Sequence, residues 1–295
     1  MDQSNSNKNE VKKRKKTSQL KEIWKRLKKN KLALVGLVIL SVLILLALFA
    51  NVIAPYGYAK QDLKHIFQFP SAQHPFGTDE FGRDILSRVI YGTRISLSVG
   101  FIAVGIAVII GGILGAVAGY YGGTIDNFIM RCMDVLLAIP QILLAISIVA
   151  ALGSNLVNLM IAVGISSIPG YARIVRASVL SVKDQEFVEA ARAAGSSNAR
   201  IIFYHIIPNV MAPIIVQATL GVALAILTAA GLSFIGLGIQ PPSPEWGSML
   251  SGGRGYIRDY WYMTLFPGLA IVITIFALNV LGDGLRDALD PKLKN

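Results

Sequence analysis

The sequence predicts an all-α membrane protein of six transmembrane helices, and three observations carry that reading. Only 15% of its 295 residues are charged while 54% are apolar, whereas a soluble domain is about a quarter charged. Mean hydropathy is +0.57, with the apolar residues gathered into long uncharged runs. The cations, finally, are shared very unequally among the segments that join those runs. Cys132, the single cysteine, cannot close an internal disulfide, and no cysteine pattern has metal-ligand spacing.

Residues 1–31 form a basic tail holding 12 Lys and Arg against three acids. Residues 32–54 follow without a charge, and about 20 helical residues cross a ~30 Å hydrocarbon core. A secretory leader also places a basic stretch before an apolar one. This run is too long for one, and Asn51-Val52-Ile53-Ala54-Pro55 is a poor cleavage site, so it reads as an uncleaved first helix. Further spans are expected at 95–119, 132–152, 156–171, 210–239 and 264–282. The fourth reaches full length once Arg173 and Arg176 snorkel at its end.

Six spans place both termini on one side. With the N-terminus cytoplasmic, the inside segments hold 21 of the 28 Lys and Arg and the outside segments 7, as the positive-inside rule requires. The net charge of +11 therefore reflects topology and contact with anionic lipid, or a partner-binding tail, rather than nucleic acid. Two sizeable outer segments remain, near 55–94 and 240–263, with one large inner loop near 172–209.

Function classes are narrowed by what the spans lack. An ionisable side chain at mid-bilayer costs about 2.5–3.5 kcal/mol even on lenient scales, and carriers driven by an ion gradient accept that cost for coupling. Here Asp134 is the one acid within the expected spans, with Arg131 a turn earlier as an interfacial ion-pair partner, and His65, His74 and His205 lie outside. No zinc-protease, serine-hydrolase or phosphate-loop motif occurs, so no catalytic residues, metal site or nucleotide site are expected on this chain. Uphill transport would draw its energy from a partner.

Gly111, Gly115, Gly119 and Gly123 recur every four residues, a small-residue face that lets helix backbones approach closely in a packed bundle or a dimer seam. Pro140 and Pro169 lie inside expected spans, where each removes a donor and either kinks its helix or is tolerated. In the inner loop, Asp184 is a candidate N-cap, Glu186 suits the first turn, and Gly195 suits the residue after the helix end. The body between is nearly all alanine, presenting a flat small-residue face with no core to join. A second helical run, 196–207, is expected to stop at Pro208. An exposed regular helix in a loop between spans reads as a docking element for a cytoplasmic partner, against the alternative of an ordinary connection.

In the first outer segment, Thr78 or Asp79 is a candidate turn cap. Asp84 and Arg88 stand four apart, as for a helix-surface ion pair, with Ile85, Leu86, Val89 and Ile90 opposite. This predicts an amphipathic helix at the outer interface, either ordering the second span or receiving an external protein. In the second outer segment Trp246, Tyr256, Tyr260 and Trp261 read as an interfacial aromatic belt.

The inner loop resembles the E-A-A-x-x-x-G loop of ABC importer permeases. Glu189, Ala190, Ala191 and Gly195 match position for position, with Pro208 as the terminal proline and His205 where the family usually has an aliphatic residue. The outer stretch HPFGTDEFGRD at 74–84, containing Thr78, Asp79, Gly82, Arg83 and Asp84, resembles the C-type permease of the dipeptide, oligopeptide and nickel importers. So do GLSFIGLG at 231–238, QPP at 240–242, PEWG at 244–247 with Trp246, and LGDGLRDALDP at 281–291. Together they span about 32–291.

The resemblance implies a type I importer permease fold. Its transmembrane domain would be 94–283, five helices with a coupling loop at 181–208, preceded by the outer segment 55–93 and one extra helix at 32–54, and followed by a cytoplasmic tail at 284–295. It further implies a multi-pass subunit of the bacterial cell membrane, paired with a homologous permease, two ATP-binding subunits carrying the ATP and Mg, and an external substrate-binding protein. In the coupling loop Glu189 would make polar contacts with the ATPase, Ala190 and Ala191 would allow close approach, and Gly195 would provide the turn. Peptides are the implied cargo, with nickel complexes a near neighbour. A non-transporting scaffold and a gradient-driven carrier stand as readings of another class.

Overall fold

The computed structural model describes residues 19–289, and every regular element among them is helical. Most of the basic tail, together with Asp290 and Pro291, lies outside the described residues. Helix α1 (Gln19–Leu27) is short and amphipathic, tied by Glu22 to Arg26 at 2.9 Å. Asn30 accepts the Ala33 N–H at 3.1 Å and so caps α2 (Lys31–Leu48). The first apolar run does not stay in one helix: it breaks at Phe49, resumes as α3 (Ala50–Ile53), and stops before Pro55, as the restricted residue before a proline favours.

Helix α4 (Ile85–Tyr121) corrects two expectations. It is one helix of 37 residues, about 55 Å long at the α-helical rise, so no separate interfacial helix precedes the second span. A domain boundary at 93/94 would cut through it. Asp84 is its N-cap, accepting the Ser87 N–H at 2.7 Å, and Arg88 points inward.

Next come α5 (Gly123–Leu137) and α6 (Gln141–Leu152), which meet at 86°. The expected third span thus begins earlier than residue 132 and is broken at Pro140, whose nitrogen has no hydrogen to donate. Pro169, by contrast, lies buried within the unbroken α7 (Leu156–Leu180), which outruns the expected 156–171. Among the described residues five helices are long and apolar enough to cross a membrane, six with the bent pair as one span. Their outward faces are apolar, with Val272 60% and Phe128 70% exposed.

After α7 come α8 (Glu186–Ala193) and the single turn α9 (Asn198–Arg200). A wide π turn at Ile201–Ile206 and a tight turn at Ile207–Val210 then lead into α10 (Met211–Phe234). Pro208 sits in the first turn of that last stretch, where no intrahelical N–H is needed, so the helical path runs past it rather than ending there. A short α11 (Trp246–Gly253) precedes α12 (Tyr262–Leu289), which also runs through the expected boundary at 283/284.

Glycines set the packing. A Cβ on Gly111 would stand 2.7 Å from the Ile168 carbonyl, one on Gly119 2.9 Å from Val179 Cβ, and one on Gly115 would collide with the Ala172 carbonyl. These contacts advance together along both chains, so α4 and α7 run parallel with their backbones touching. Gly123 opens α5 and meets nothing within 4 Å. Gly100 against Ile226 sets α10 antiparallel to α4, and Gly36 against Ala277 with Gly284 against Ala33 sets α12 antiparallel to α2.

Gly115→Ala is therefore expected to cost about 1–3 kcal/mol, since the blocking atom is backbone and cannot swing away. Gly112→Ala, on the open side with nothing within 4 Å, should be neutral or slightly stabilising. Melting midpoints in detergent compare the two. Equal midpoints would dismiss the seam as a determinant of stability.

Candidate functional site

On the face of the bundle where α1 lies and α4, α7 and α12 end, α8 is held as a bracket. Its first residue follows Gln185, not Asp184, as N-cap, and among the described residues no side chain caps it. Its end is closed by two backbone bonds, Gly195 N–H to the Arg192 carbonyl at 3.0 Å and Ser196 N–H to the Ala191 carbonyl at 3.1 Å. That paired closure needs a left-handed residue, and Gly195 has φ +76°.

The helix does have a core to join, against the sequence expectation. Val188 and Ala191 are buried with Val175 and Val179 of α7, Ala116 of α4, and Ile201, Ile202 and Ile206 of the π turn. Alternation at helical spacing then leaves Glu186, Glu189, Ala190 and Ala193 exposed on the outer stripe. Of the two adjacent alanines, Ala190 faces out and Ala191 faces in. Among the described residues neither Glu186 nor Glu189 has an ion-pair partner. Tyr120 at the end of α4 donates to Asn198 Oδ1 at 2.9 Å, tying the loop to the helix that carries the glycine seam. Pro208 is exposed beyond the π turn, beside half-buried His205. A push on the exposed stripe thus bears directly on the ends of α4 and α7 and on the turn that leads into α10.

Two carboxylates line up behind this face. Asp126 of α5 takes a forked pair of bonds from Arg176 of α7, at 2.5 and 2.6 Å. Asp134 is bonded by Arg173 of α7 at 2.6 Å, not by Arg131 one turn away. Both arginines expected to snorkel alone are therefore clamps between the broken span and α7. Bidentate geometry fixes orientation as well as charge.

The opposite face is closed by the segment 54–84 and α11. Thr78 is fully buried; its hydroxyl donates to the His65 carbonyl at 2.5 Å and accepts from Gln68 N–H at 2.8 Å. Asp79 accepts from the Phe81 and Arg83 N–H groups at 2.9 Å and from Arg83 Nε at 2.6 Å. Gly82 has φ +69°, and a Cβ there would strike the Asp62 carbonyl. Asp84 pairs with His74 at 2.9 Å, so the expected Asp84–Arg88 pair does not form. Arg88 instead reaches the carbonyls of Tyr58 at 3.0 Å and Pro242 at 3.2 Å and approaches Asp79 at 3.6 Å.

Trp246 is not part of an interfacial belt. It is fully buried, its indole N–H donating to the Val89 carbonyl at 3.1 Å, in space left by Gly92. Glu245 before it is buried and caps α11 through the Gly247 and Ser248 N–H groups at 2.9 and 2.8 Å. Burial pushes the Glu245 carboxyl up, opposed by those two N–H bonds. An acid one residue before a short helix was the available signal for this cap. Burial likewise pushes Glu80 up. Among the described residues no group of His, Cys, Asp and Glu could hold a metal ion.

Comparison with known proteins gives a consistent picture. A family model described as "Binding-protein-dependent transport system inner membrane component" matches residues 111–295. A second, "N-terminal TM domain of oligopeptide transport permease C", matches residues 18–70. The chain is 54% identical over 275 residues to the dipeptide transport system permease protein DppC of Alkalihalophilus pseudofirmus, covering 93% of this chain and 90% of that one. It is 48% identical to the di/tripeptide permease DppC of Pseudomonas aeruginosa, covering 94% of each. The glutathione transport system permease protein GsiD of Escherichia coli O157:H7 is 47% identical, covering 92% of this chain and 90% of that one. Among solved structures, the inward-facing MetNI methionine ABC transporter superposes with a TM-score of 0.57 at 17% identity, covering 70% of this chain and 98% of that one. An amino acid ABC transporter with histidines gives 0.53 at 20% identity, covering 68% and 94%.

Proposed function

The chain belongs to the binding-protein-dependent transport system inner membrane components, and from that premise we propose that it is one permease subunit of an ATP-driven importer of di- and oligopeptides. In this reading a homologous second permease completes the path, two ATP-binding subunits dock on the α8 face, and an external binding protein delivers cargo to the α11 face. Nucleotide and Mg belong to the partners, and this chain contributes no catalytic group. In this reading the α8 face is cytoplasmic, so α1 and the end of α12 lie on the cytoplasmic side of the cell membrane.

One observation carries the coupling role. The stripe of Glu186, Glu189, Ala190 and Ala193 is exposed while the other side of the same short helix is keyed into the ends of α4 and α7. Small side chains let a partner surface approach the helix backbone, and two carboxylates on the stripe give it polar anchors. Closure of the ATP-binding pair would then displace α8, and the spans would move with it because their glycine seams transmit motion with little give.

Reconstituted uptake tests the reading. Proteoliposomes holding this chain, the second permease and the ATPases should accumulate a labelled dipeptide only with internal-face ATP and external binding protein. Accumulation driven by a proton or sodium gradient without ATP would make the chain a carrier. No accumulation of any cargo by an assembled complex would make it a scaffold. ATP-driven uptake of a nickel complex in place of peptides would keep the machine and change its cargo.

A further inference from the structure

A cleft of about 580 Å³ opens between α1 and the end of α12, within the ~300–1,000 Å³ range of small-molecule sites. Lys25, Arg26, Lys29 and Asn30 line one wall, and Gly284 and Asp287 the other. Apolar contact joins the two walls. Leu27 is buried with Ala288, in space that Gly284 leaves, where a Cβ would stand 3.3 Å from Leu27 and strike Ala33. Charge fixes the depth of the cleft in the membrane. Lys31 is the last charged residue before the uncharged run 32–54, and Asp283 is the first charged residue of α12. Both spans thus leave the hydrocarbon where the cleft begins, so it opens among lipid headgroups. Trp24, 45% exposed with the Lys28 ammonium 5.0 Å over its ring, is the kind of anchor expected of a helix at that level.

The charges in the cleft divide into committed and open ones. Arg26 is held by Glu22 at 2.9 Å. Lys25, Lys29 and Asp287 are exposed and, among the described residues, have no ion-pair partner. Two lysines four residues apart suit one phosphate, which lysine binds as a point charge. A carboxylate on the facing helix would repel a purely anionic ligand. It suits a ligand that carries an ammonium beside its phosphate.

We infer that the cleft binds a phospholipid with an ethanolamine headgroup, Lys25 and Lys29 holding the phosphate and Asp287 accepting hydrogen bonds from the primary ammonium. Leu32 and Val35, both exposed at the start of α2, offer its acyl chains an apolar surface on the hydrocarbon side of the cleft. Seated there, the lipid ties α1 to the last span. A fully methylated headgroup nitrogen has no hydrogen to donate, so phosphatidylcholine keeps the phosphate contact and loses the one to Asp287. The site needs only that the spans cross a membrane and is independent of the cargo.

The test titrates the full-length chain in detergent with dioleoyl phosphatidylethanolamine, phosphatidylcholine or phosphatidylglycerol and counts bound lipid by native mass spectrometry. Phosphatidylethanolamine should bind about fivefold more tightly than either of the others, as one charge-assisted contact partly in water allows. Lys25→Gln and Lys29→Gln should each weaken it by about the same factor. Asp287→Ala should weaken it equally and leave phosphatidylcholine unchanged, so the discrimination disappears; a merely structural role would move both lipids together. All three side chains are exposed, so the variants should fold. Equal affinity for the three lipids, or an Asp287→Ala effect common to all, would overturn the assignment. So would tighter binding of phosphatidylglycerol, the mark of a plain cationic patch. Equally tight binding of water-soluble glycerophosphoethanolamine would make the ligand a soluble phosphate instead of a lipid, and displacement of the lipid by added ATPase subunits would give the cleft to that partner.

Discussion

Asp79→Ala is expected to destabilise the protein by about 3–5 kcal/mol, the cost of leaving buried charge uncompensated. Arg83 and Arg88 are each only 5% exposed, and Asp79 is the anion between them, at 2.6 Å from Arg83 Nε and 3.6 Å from Arg88 Nε. Without it Arg83 keeps Glu80 at 3.5 Å and the Phe81 ring beneath its guanidinium at 4.5 Å, and Arg88 keeps two carbonyls. The same carboxylate accepts two backbone N–H groups of the turn through Gly82, so the loop loses its shape with its charge. Melting in detergent measures the loss. The double variant Asp79→Ala, Arg83→Met should cost less than the sum of the single changes, because the stranded cation goes with its partner. Additive losses would mean that the two residues act separately.

Glu189→Lys is expected to abolish ATP-driven uptake, with a fall of at least about thirtyfold, since reversing a charge at a docked polar contact costs several kcal/mol. The side chain is exposed on the outer stripe of α8 and unpaired among the described residues, so the free subunit should fold and reach the membrane normally. Separated ATPase subunits should hydrolyse ATP at the wild-type rate, placing the defect at the contact. Gly195→Pro should give the same loss by another route, because proline is held near φ −65° where the chain needs +76°. Wild-type uptake by both variants would remove α8 from the coupling path.

Much of this protein was legible in its residues. The apolar runs placed the spans, because crossing a bilayer demands about 20 consecutive residues that tolerate hydrocarbon, and composition records that demand directly. The four-residue glycine period marked a helix face of close approach, and the α4–α7 contacts lie along Gly111, Gly115 and Gly119. The alanine-rich segment with its closing glycine marked α8, and its ends fell within a residue or two of the capping signals.

Other features had no local signature. Asp134 has Arg131 a turn away in sequence, yet its partner is Arg173, because the 86° break turns α5 against α7. Arg88 stands at the right spacing to pair with Asp84, but Asp84 is spent capping α4 and bonding His74. Trp246 has the composition of a belt residue and is instead driven inward by the space at Gly92. Val188 and Ala191 look like part of a uniformly exposed helix until the isoleucines of the π turn come to rest on them.

What the chain alone determined is that the fold is helical, roughly where its apolar spans lie, and where a short alanine-rich helix sits between two of them, since these depend on periodicity, length and capping within a few residues. Tertiary structure alone decided which cations meet which carboxylates, which side of α8 stays open, and where a charged cleft opens between α1 and α12. Those depend on residues tens of positions apart being brought within about 3 Å, and only the packed arrangement of all the helices sets such distances.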